Sequence, residues 1–455
     1  MTNFKSIKEL KGLKLKPLTL LTGINSSGKS NIMEAMAFFG QAARIQEVQP
    51  STRPSLIQVL MHGDIKRYPQ EIGSFVVYRK KNEPVSLEIH IKPTKSLLED
   101  IRILLDQEQE SRDLPSKADP GKPIQKIFPK GIKTKIKSVG YSFRFHRSDT
   151  YRQNVFINKK TLMSVFLAPL AGIQQSRVLY PKDFLSLTMR ESPENLLSAG
   201  VFIPTDSAPN LKLVSEMAVM VLTFIRDHAK KVYLISGERG RIDPGTRSSE
   251  RRLPIPSWVG SNGQDVVEIL SHCMTRETEK ARKIQEWAER FQLPGVTAGR
   301  VLEGTLESNY KDRILDIDLN TSLAGLGSRQ ILTIITQIFW SGPDSVIMIE
   351  EPETSLHPQN QVLLHELFAE AVSEKKQIIC STHSPFFILA LSRIIKKKLL
   401  TLDQIAVYHV EKDKEGTHVK ELRLNEHGFV ASGVPTFMKA EEELFRDWSE
   451  SLEEE

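Results

Sequence analysis

The chain has 455 residues and a formal net charge of +6, with 40% hydrophobic and 26% charged residues. This length predicts two or three domains, or one heavily inserted domain, and the composition is typical of a soluble globular protein. No apolar run approaches the roughly 18 residues of a membrane span, and the N-terminus lacks a cleavable signal pattern. We therefore expect a cytoplasmic protein with no membrane partner. Its two cysteines, Cys273 and Cys380, lack metal-ligand spacing and are expected in the core.

Strand and helix patterns alternate along the chain around a long inserted middle, which predicts an α/β fold. Apolar runs and alternating patterns predict strands at 17–22, 74–79, 85–92, 138–147, 154–158, 345–349 and 377–380, and β structure from residue 302. Apolar residues three to four apart predict helices at 31–45, 96–112, 211–229, 264–291, 359–373 and after Pro385. The segment 264–291 is predicted as a single helix of roughly 40 Å.

The first chemical motif is the phosphate-loop sequence Gly23–Ser30, which fits G-x-x-x-x-G-K-[ST] at every fixed position. A buried strand precedes it and an apolar-faced helix follows, so main-chain N–H groups and the helix N-terminus can surround phosphates. In such a loop Lys29 neutralises phosphate charge and the Ser30 hydroxyl binds Mg²⁺. The residues predicted to bind nucleotide here are Gly23, Asn25, Ser26, Ser27, Gly28, Lys29, Ser30 and Asn31.

The second motif is a pair of acids, Glu350 and Glu351, directly after the apolar strand at 345–349. An acid at the end of such a strand lies beside the phosphate loop. Glu350 is predicted to hold the magnesium shell, and Glu351 to act as the general base that orients the attacking water. ATP and Mg²⁺ are the expected cofactors.

Two further motifs occur in an informative order along the chain. The strand at 377–380 leads into Ser381–Pro385, in which His383 can hydrogen-bond the γ-phosphate or the attacking water. Upstream, a glycine-rich stretch opens an apolar helix and is predicted as a second phosphate-binding helix start. Its predicted nucleotide-binding residues are Gly325, Gly327, Ser328 and Gln330.

Together these motifs resemble the ATPase heads of ABC proteins. The sequences EEPETSLHP at 350–358 and STHSP at 381–385 look most like RecF, SMC and the ATPase part of OLD (overcoming-lysogenization-defect) nucleases. Stand-alone ATPases of bacterial and archaeal defence systems share these sequences. The resemblance implies an ABC-type head, with a mixed sheet around the phosphate loop, an antiparallel β lobe and a helical insertion. It also implies a homodimer, or a higher oligomer of dimers, around ATP.

The resemblance is uneven along the chain. It divides the sequence into an N-terminal head part (1–92), a basic insertion with a β-hairpin (93–175), a mostly helical insertion (176–300) and a C-terminal head part (301–455). The signature GLGSRQ departs from LSGGQ, and Glu350 stands where Asp is more usual. Four glutamines remain open as the Q-loop residue: Gln41, Gln46, Gln58 and Gln70. The 72 residues after His383 are too few for the TOPRIM nuclease domain of full-length OLD proteins.

Positive charge is concentrated between Lys117 and Lys160, where 12 lysines and arginines face only Asp119 and Asp149. Arg144, His146 and Arg152 alternate there with apolar residues, as in a strand with one solvated face. That face could follow a phosphate backbone, or the segment could be a solvated basic hairpin whose aromatic residues serve the core.

The main functional hypothesis is a homodimeric ATPase that couples hydrolysis to DNA binding or to control of a separate effector protein such as a nuclease. Anti-phage defence or DNA repair is the expected setting, by analogy with the family. The alternatives are the ATPase subunit of a membrane transporter and a P-loop phosphotransferase. The separation of Lys29 from Glu351 disfavours the first, and the signature and His383 have no task in the second.

Overall fold

The computed structural model describes residues 1–44, 83–110, 136–146, 150–170, 173–179, 187–189, 209–247, 255–301 and 305–435. The predicted strand at 74–79 and three Q-loop candidates, Gln46, Gln58 and Gln70, lie outside these ranges. The described chain divides into two compact units. The first comprises Met1–Lys11 and Phe38–Lys230, and the second comprises Gly12–Ala37 and Lys231–Glu455.

The first unit is built on an eight-stranded antiparallel sheet in the order β2-β1-β4-β5-β6-β7-β8-β9. Its strands are β1 (Thr2–Phe4), β2 (Ile7–Glu9), β4 (Val85–Ile91), β5 (Val139–His146), β6 (Thr150–Ile157), β7 (Lys160–Leu170), β8 (Ile173–Leu179) and β9 (Leu187–Met189). Two of its helices are α2 (Lys95–Glu110) and α3 (Pro209–Ala229). The predicted hairpin is therefore confirmed as β5 and β6, within a larger sheet.

The predicted alternation of β5 between a core face and a solvated face is only partly observed. Tyr141 and Phe143 are buried, as expected for the core face, and Arg144 is exposed. On the other face Ser142 is also buried, and it accepts a hydrogen bond from Asn154 Nδ2 at 2.8 Å. Asn154 Oδ1 in turn accepts one from Ser164 Oγ at 2.6 Å. That face thus carries a hydrogen-bonded polar row across three strands, and it is not uniformly solvated.

The second unit contains a six-stranded sheet in the order β10-β15-β16-β3-β17-β18, parallel except for the last strand. The strands are β3 (Leu18–Thr22), β10 (Val232–Ile235), β15 (Val346–Glu350), β16 (Gln377–Thr382), β17 (Ile405–Asp413) and β18 (Gly416–Leu422). A smaller antiparallel sheet holds β11 (Thr246–Arg247), β12 (Thr297–Arg300), β13 (Thr305–Asp312) and β14 (Ile317–Asn320). Parallel strands of this kind are buried on both faces, which explains their continuous apolar runs.

Helices of the second unit pack around one apolar core. They are α4 (Val266–Arg276), α5 (Thr278–Arg290), α6 (Leu326–Trp340), α7 (Pro358–Ser373), α8 (Pro385–Leu389) and α9 (Leu391–Lys396). The phosphate loop is followed by α1 (Lys29–Arg44), whose residues up to Ala37 belong to this unit. The predicted mixed α/β architecture, with an antiparallel sheet and additional helices, is confirmed.

The prediction of one helix over 264–291 is wrong. The chain breaks at Glu277, where φ is −127° and ψ is 59°, and α4 and α5 lie on either side. Both helices bury one face in the same core, including Leu270 on α4 and Ile284 on α5. Their apolar residues happen to keep helical spacing across the break, so the periodicity does not reveal it.

The predicted domain boundaries stay a prediction, and the compact units divide the chain elsewhere. Residues 231–300, predicted as part of a helical insertion, supply β10 to the six-stranded sheet and α4 and α5 to the core of the second unit. No helix in the described ranges is long and apolar enough to cross a membrane.

Candidate functional site

The predicted motifs meet at one edge of the six-stranded sheet. In the register of the parallel strands, Thr22 pairs with Thr382, and Glu350 pairs with Ser381. The phosphate loop follows Thr22, Glu351 follows Glu350, and His383 follows Thr382. The carboxyl ends of parallel strands form the usual ligand-binding crevice of an α/β sheet. The tertiary structure therefore brings together three motifs that lie far apart in the sequence.

The phosphate loop needs its glycines for conformation and for space. Gly23 has φ +153° and Gly28 has φ +108°, a region that side-chain-bearing residues rarely adopt. A Cβ atom on Gly23 would lie 2.1 Å from the carbonyl oxygen of Val410 on β17. On the β18 side, Thr417 Oγ1 donates a hydrogen bond to the Ser27 carbonyl at 3.1 Å. The C-terminal hairpin thus supports the loop from behind.

Lys29 is folded back into this loop. Its ammonium donates hydrogen bonds to the carbonyl oxygens of Gly23 at 3.0 Å and Ile24 at 2.9 Å. Burial lowers the pKa of Lys29 to about 8, against the opposing effect of the carboxylates of Glu351, Glu353 and Glu350. Lys29 is therefore close to all three acids. Its positive charge lies where it could neutralise the charge of a bound phosphate group.

The remaining predicted residues of the loop differ in exposure. Asn25, Ser26 and Ser30 are exposed, Asn31 is half-buried and Ser27 is buried. Ser30 is the second residue of α1 and lies in its first turn, where main-chain N–H groups lack partners within the helix. The loop and the helix start therefore present donors to solvent, as a phosphate site requires.

Glu350 and Glu351 end β15 with different surroundings. Glu350 Oε2 accepts a hydrogen bond from the Gly237 N–H at 3.3 Å. Glu351 has φ +44°, and its N–H donates to the Ser381 carbonyl at 3.0 Å. The Glu351 side chain is 45% exposed and lies with Oε1 3.5 Å from His383 Nε2. Glu351 thus combines a strained, well-anchored main chain with an accessible carboxylate.

His383 lies between the acidic and basic groups of the site. Burial and the charge of Lys29 lower its pKa from the ordinary value, while Glu351 opposes the shift. The imidazole is therefore neutral at physiological pH, when one ring nitrogen can donate and the other can accept. This is the state suited to orienting a water molecule or a phosphate oxygen.

Two further charged residues at this sheet edge were not predicted from the sequence. Glu353 is buried, and its Oε1 accepts hydrogen bonds from Thr382 Oγ1 at 2.7 Å and from the His383 N–H at 2.8 Å. Arg239, 1% exposed, follows β10 and donates to the carbonyl oxygens of Glu350 and Glu351. Glu353 stands inside the EEPET sequence, but no local pattern predicts its burial. Arg239 stands between Gly237 and Gly240, which offered a weak turn signal.

The predicted signature forms the start of α6. Gly325 is its N-cap and provides no side-chain cap, and Ser328 is half-buried. A Cβ atom on Gly327 would lie 2.3 Å from the Ser355 carbonyl oxygen, so the helix packs closely on the loop after Glu351. Gln330 is buried, and its Oε1 lacks a hydrogen-bond partner. It packs closely on Gly240, where an added Cβ atom would lie 3.0 Å from Gln330 Cγ.

The site contains few side chains that could hold a metal ion. Among the described residues no group of three or more His, Cys, Asp or Glu side chains could hold an ion. Ser30 offers a hydroxyl oxygen and Glu350 offers carboxylate oxygens as ligands at the same sheet edge. Magnesium in nucleotide sites is typically held by one or two protein groups together with phosphates and water. These residues therefore fit Mg²⁺ delivered with a nucleotide, and they do not form a metal site of their own.

Comparison with known proteins gives one family match. Residues 268–388 match the model of the AAA ATPase domain, a range that holds Gly325–Gln330, Glu350, Glu351 and His383 but not the phosphate loop. This match confirms the predicted resemblance to P-loop ATPases over that segment. No curated protein matches the sequence.

Several solved SMC head structures are similar at low identity. An Smc head bound to the C-winged helix domain of ScpA has 15% identity and a TM-score of 0.44, covering 93% of this chain and 96% of that chain. The SMC head domain from Thermotoga maritima has 10% identity and a TM-score of 0.40, covering 93% and 97%. The Pyrococcus furiosus Smc head with an extended coiled coil has 14% identity and a TM-score of 0.38, covering 97% of each chain.

Proposed function

We propose that this protein hydrolyses ATP at the sheet edge formed by the phosphate loop, Glu351 and His383. The observation that carries the proposal is the position of the accessible Glu351 carboxylate, 3.5 Å from the His383 imidazole and close enough to Lys29 to oppose the lowering of the Lys29 pKa by burial. A base, a neutral hydrogen-bonding ring and a phosphate-binding cation are thereby combined at one site.

Each residue has a distinct task in this proposal. Lys29 leaves the carbonyl oxygens of its own loop and binds the β- and γ-phosphates. Ser30 and Glu350 would hold Mg²⁺, which supplies charge neutralisation on the phosphates when bound. Glu351 accepts a proton from the attacking water, and His383 orients the γ-phosphate or that water. Water attack on the γ-phosphorus breaks its bond to the bridging oxygen and releases ADP and inorganic phosphate.

The test is a comparison of three variants for ATP turnover and ATP binding. Glu351→Gln keeps the side-chain shape but removes the base, so binding persists while turnover falls, by about 10²-fold or more. Lys29→Ala loses nucleotide affinity instead. Glu426→Gln, an exposed acid outside the site, serves as the matched control. Wild-type turnover in a folded Glu351→Gln variant would contradict the assignment of the base.

We further propose that two chains complete each ATP site, with the signature Gly325–Gln330 of one chain facing the ATP of the other. In support, the start of α6 has no side-chain cap, and Leu323 and Leu326 beside it are 71% and 48% exposed. Free N–H groups suit a phosphate, and exposed apolar residues suit an interface. Mass measurement of Glu351→Gln with ATP should give a dimer, and a monomer under saturating ATP would contradict the model.

Complementation gives a second test of the two-chain site. Gly325 has open space around its Cβ position, so Gly325→Glu should place repulsive charge beside the partner's ATP without disturbing the fold. Mixed with Lys29→Ala, it should form heterodimers with one intact composite site, and part of the ATPase activity should return. No return of activity in demonstrated heterodimers would indicate strictly coupled sites or a self-contained site.

As the biological role we propose that hydrolysis is coupled to DNA binding or to control of a separate effector protein such as a nuclease, in anti-phage defence or DNA repair. The basic stretch 117–160 supports a polyanionic partner, and exposed Arg144 and Lys160 are described members of it. Co-purification from the native host with nuclease treatment tests this role. A nucleic acid or an effector protein should co-purify, and recovery of the ATPase alone under both conditions would count against it.

A further inference from the structure

We infer that Arg239 is a positioning residue for catalysis: its guanidinium holds the main chain of Glu350 and Glu351 so that the Glu351 carboxylate faces the site. This inference rests on the proposed ATPase function and extends it to a residue in a different part of the chain. Arg239 touches neither the predicted phosphate loop nor the Glu351 carboxylate through any hydrogen bond described for it. It therefore acts on the reaction through the backbone.

The geometry is that of a fork holding two consecutive peptide groups. Arg239 Nη1 donates to the Glu350 carbonyl oxygen at 2.7 Å, and Nη2 donates to the Glu351 carbonyl oxygen at 2.9 Å. Arg239 reaches this place from the loop that follows β10, the strand next to β15 in the sheet. The planar guanidinium fixes two acceptors at once, which a single ammonium cannot do.

The residue that is held needs such support. Glu351 has φ +44°, a conformation that is costly for a non-glycine residue and persists only when its surroundings impose it. On β16, the Ser381 carbonyl oxygen accepts a hydrogen bond from the Glu351 N–H at 3.0 Å. The peptide group before the Glu351 Cα is thus held by Ser381 and by Arg239 Nη1, and the carbonyl oxygen after it is held by Arg239 Nη2 and by the Thr354 N–H. Release of one side would let the carboxylate turn away.

The charge of Arg239 is unusual for a residue with only a scaffolding task. The side chain is 1% exposed, its Nε has no hydrogen-bond partner, and its described acceptors are main-chain carbonyl oxygens. Burial lowers the pKa of Arg239 to about 10, and the nearby charges of Glu353, Glu351 and Glu350 oppose this, so the group is still cationic at neutral pH. Charged donors make shorter and stronger hydrogen bonds than neutral ones, which suits the holding of a strained turn.

The same loop also contacts the signature helix. Gly240, next to Arg239, has φ +91°, and a Cβ atom there would lie 3.1 Å from the Gln330 main-chain nitrogen. The loop therefore lies between the turn that carries Glu351 and the first turn of α6. A shift of Arg239 would be felt first at Glu350 and Glu351, because its guanidinium is hydrogen-bonded to the carbonyl oxygens of both.

The experiment compares Arg239→Lys and Arg239→Met in the full chain. Loss of the fork should reduce kcat for ATP by about 10²-fold in the Met variant and by about tenfold in the Lys variant, since misplacement of a catalytic group has effects of this order. The dissociation constant for ATP should stay within about twofold of wild type, because the phosphate loop is not held by Arg239. Ile242→Val, a core change two residues beyond Gly240, is the control for general destabilisation.

A double-mutant cycle separates positioning from stability. In a Glu351→Gln background Arg239→Lys should have little further effect on the residual rate, because the group it positions is already absent. A purely structural role would lower the rate by the same factor in both backgrounds, and that result would overturn the inference. Should Arg239→Met fail to fold, the Lys variant alone decides, since it retains charge and most of the volume.

Different results would contradict the proposed ATPase function and the inference about Arg239. Absence of ATP turnover in the wild-type protein, or full turnover in Glu351→Gln, contradicts the proposed function. If the wild type hydrolyses ATP, Glu351→Gln does not, and Arg239→Lys retains wild-type kcat, only the inference about Arg239 is wrong. A parallel loss of ATP affinity in the Arg239 variants would also overturn it.

Discussion

Glu353 accepts the main-chain N–H of His383 at 2.8 Å with the same carboxylate oxygen that accepts the Thr382 hydroxyl at 2.7 Å. Glu353, three residues after the end of β15, thereby fixes the turn that carries His383. Its second oxygen is buried without a hydrogen-bond partner. Burial raises the pKa of Glu353 above its ordinary value, against the effect of these hydrogen bonds.

Substitution of Glu353 should separate its geometric role from its charge. A carboxyl group with a raised pKa in the folded state makes the protein less stable as pH rises from 4.5 through that pKa. Glu353→Gln keeps one acceptor oxygen and should flatten this pH dependence of the unfolding free energy. Glu353→Ala leaves two donors without an acceptor and should lose about 1–3 kcal/mol. Urea unfolding between pH 5 and pH 8 measures both, and equal stability of the two variants would contradict the role of the acceptor.

ATP affinity should depend on the protonation of Lys29. Its pKa of about 8 in the free protein means that the cationic form, which binds phosphate, is complete only below that pH. Bound phosphates favour the charged form, so affinity should be constant below pH 8 and fall by up to about tenfold per pH unit above it. Titration with a fluorescent ATP analogue from pH 7 to pH 9.5 measures this slope. Lys29→Ala should bind weakly with no such slope, and a wild-type protein equally flat would argue against the lowered pKa.

Two glycines of the signature should respond differently to alanine. Gly327→Ala places a methyl group 2.3 Å from the Ser355 carbonyl oxygen, a main-chain atom that cannot move aside alone. We expect a loss of about 1–3 kcal/mol in the free energy of unfolding. Gly325→Ala has nothing within 4 Å of the added carbon and should lose less than about 1 kcal/mol. Denaturant unfolding of both variants measures these losses. A larger loss for Gly325→Ala than for Gly327→Ala would contradict the prediction.

His365 should make the second unit sensitive to mild acid. The ring is fully buried, lies 4.1 Å from the Phe387 ring between centroids, and has a pKa lowered to about 4 by burial. Because the unfolded chain binds this proton near pH 6.5 and the folded state does not, stability is lost as pH falls from 6.5 towards 4. Between pH 7 and pH 5 the expected loss is about 2 kcal/mol. His365→Leu should remove that part of the pH dependence, and an unchanged dependence would exclude His365 as its source.

The basic stretch should reveal a DNA role through its salt dependence. Lys137, Arg144 and Lys160 are exposed, and replacing all three by Glu should weaken DNA binding and flatten the plot of log affinity against log salt. Each lost phosphate contact should change the slope by about 0.9. The matched control replaces Lys412, Lys414 and Lys420, exposed on another hairpin, by Glu. If the slope falls by the same amount in both triple variants, the effect comes from net charge and not from a DNA-binding site.

Local sequence determined the elements that carry the chemistry. The phosphate loop lies between β3 and α1, and the acids end β15 as their apolar run predicts. His383 follows β16 directly. These features depend on short-range patterns: buried parallel strands are continuously apolar, and a loop that surrounds phosphates needs glycine at fixed positions. The wrongly predicted single helix at 264–291 has a related cause, because periodicity records which face is buried and not whether the backbone continues.

Only the tertiary structure decided which groups support the site. Nothing adjacent to Arg239 or Glu353 in the sequence indicates burial, and both would ordinarily be assigned to a solvated surface. Their positions follow from strand order: β10 lies beside β15, which brings Arg239 to the Glu351 carbonyl oxygen, and β16 lies beside β15, which brings His383 to Glu353. Strand order depends on long-range packing of the whole sheet, and a charge can be buried only where that packing supplies its acceptors.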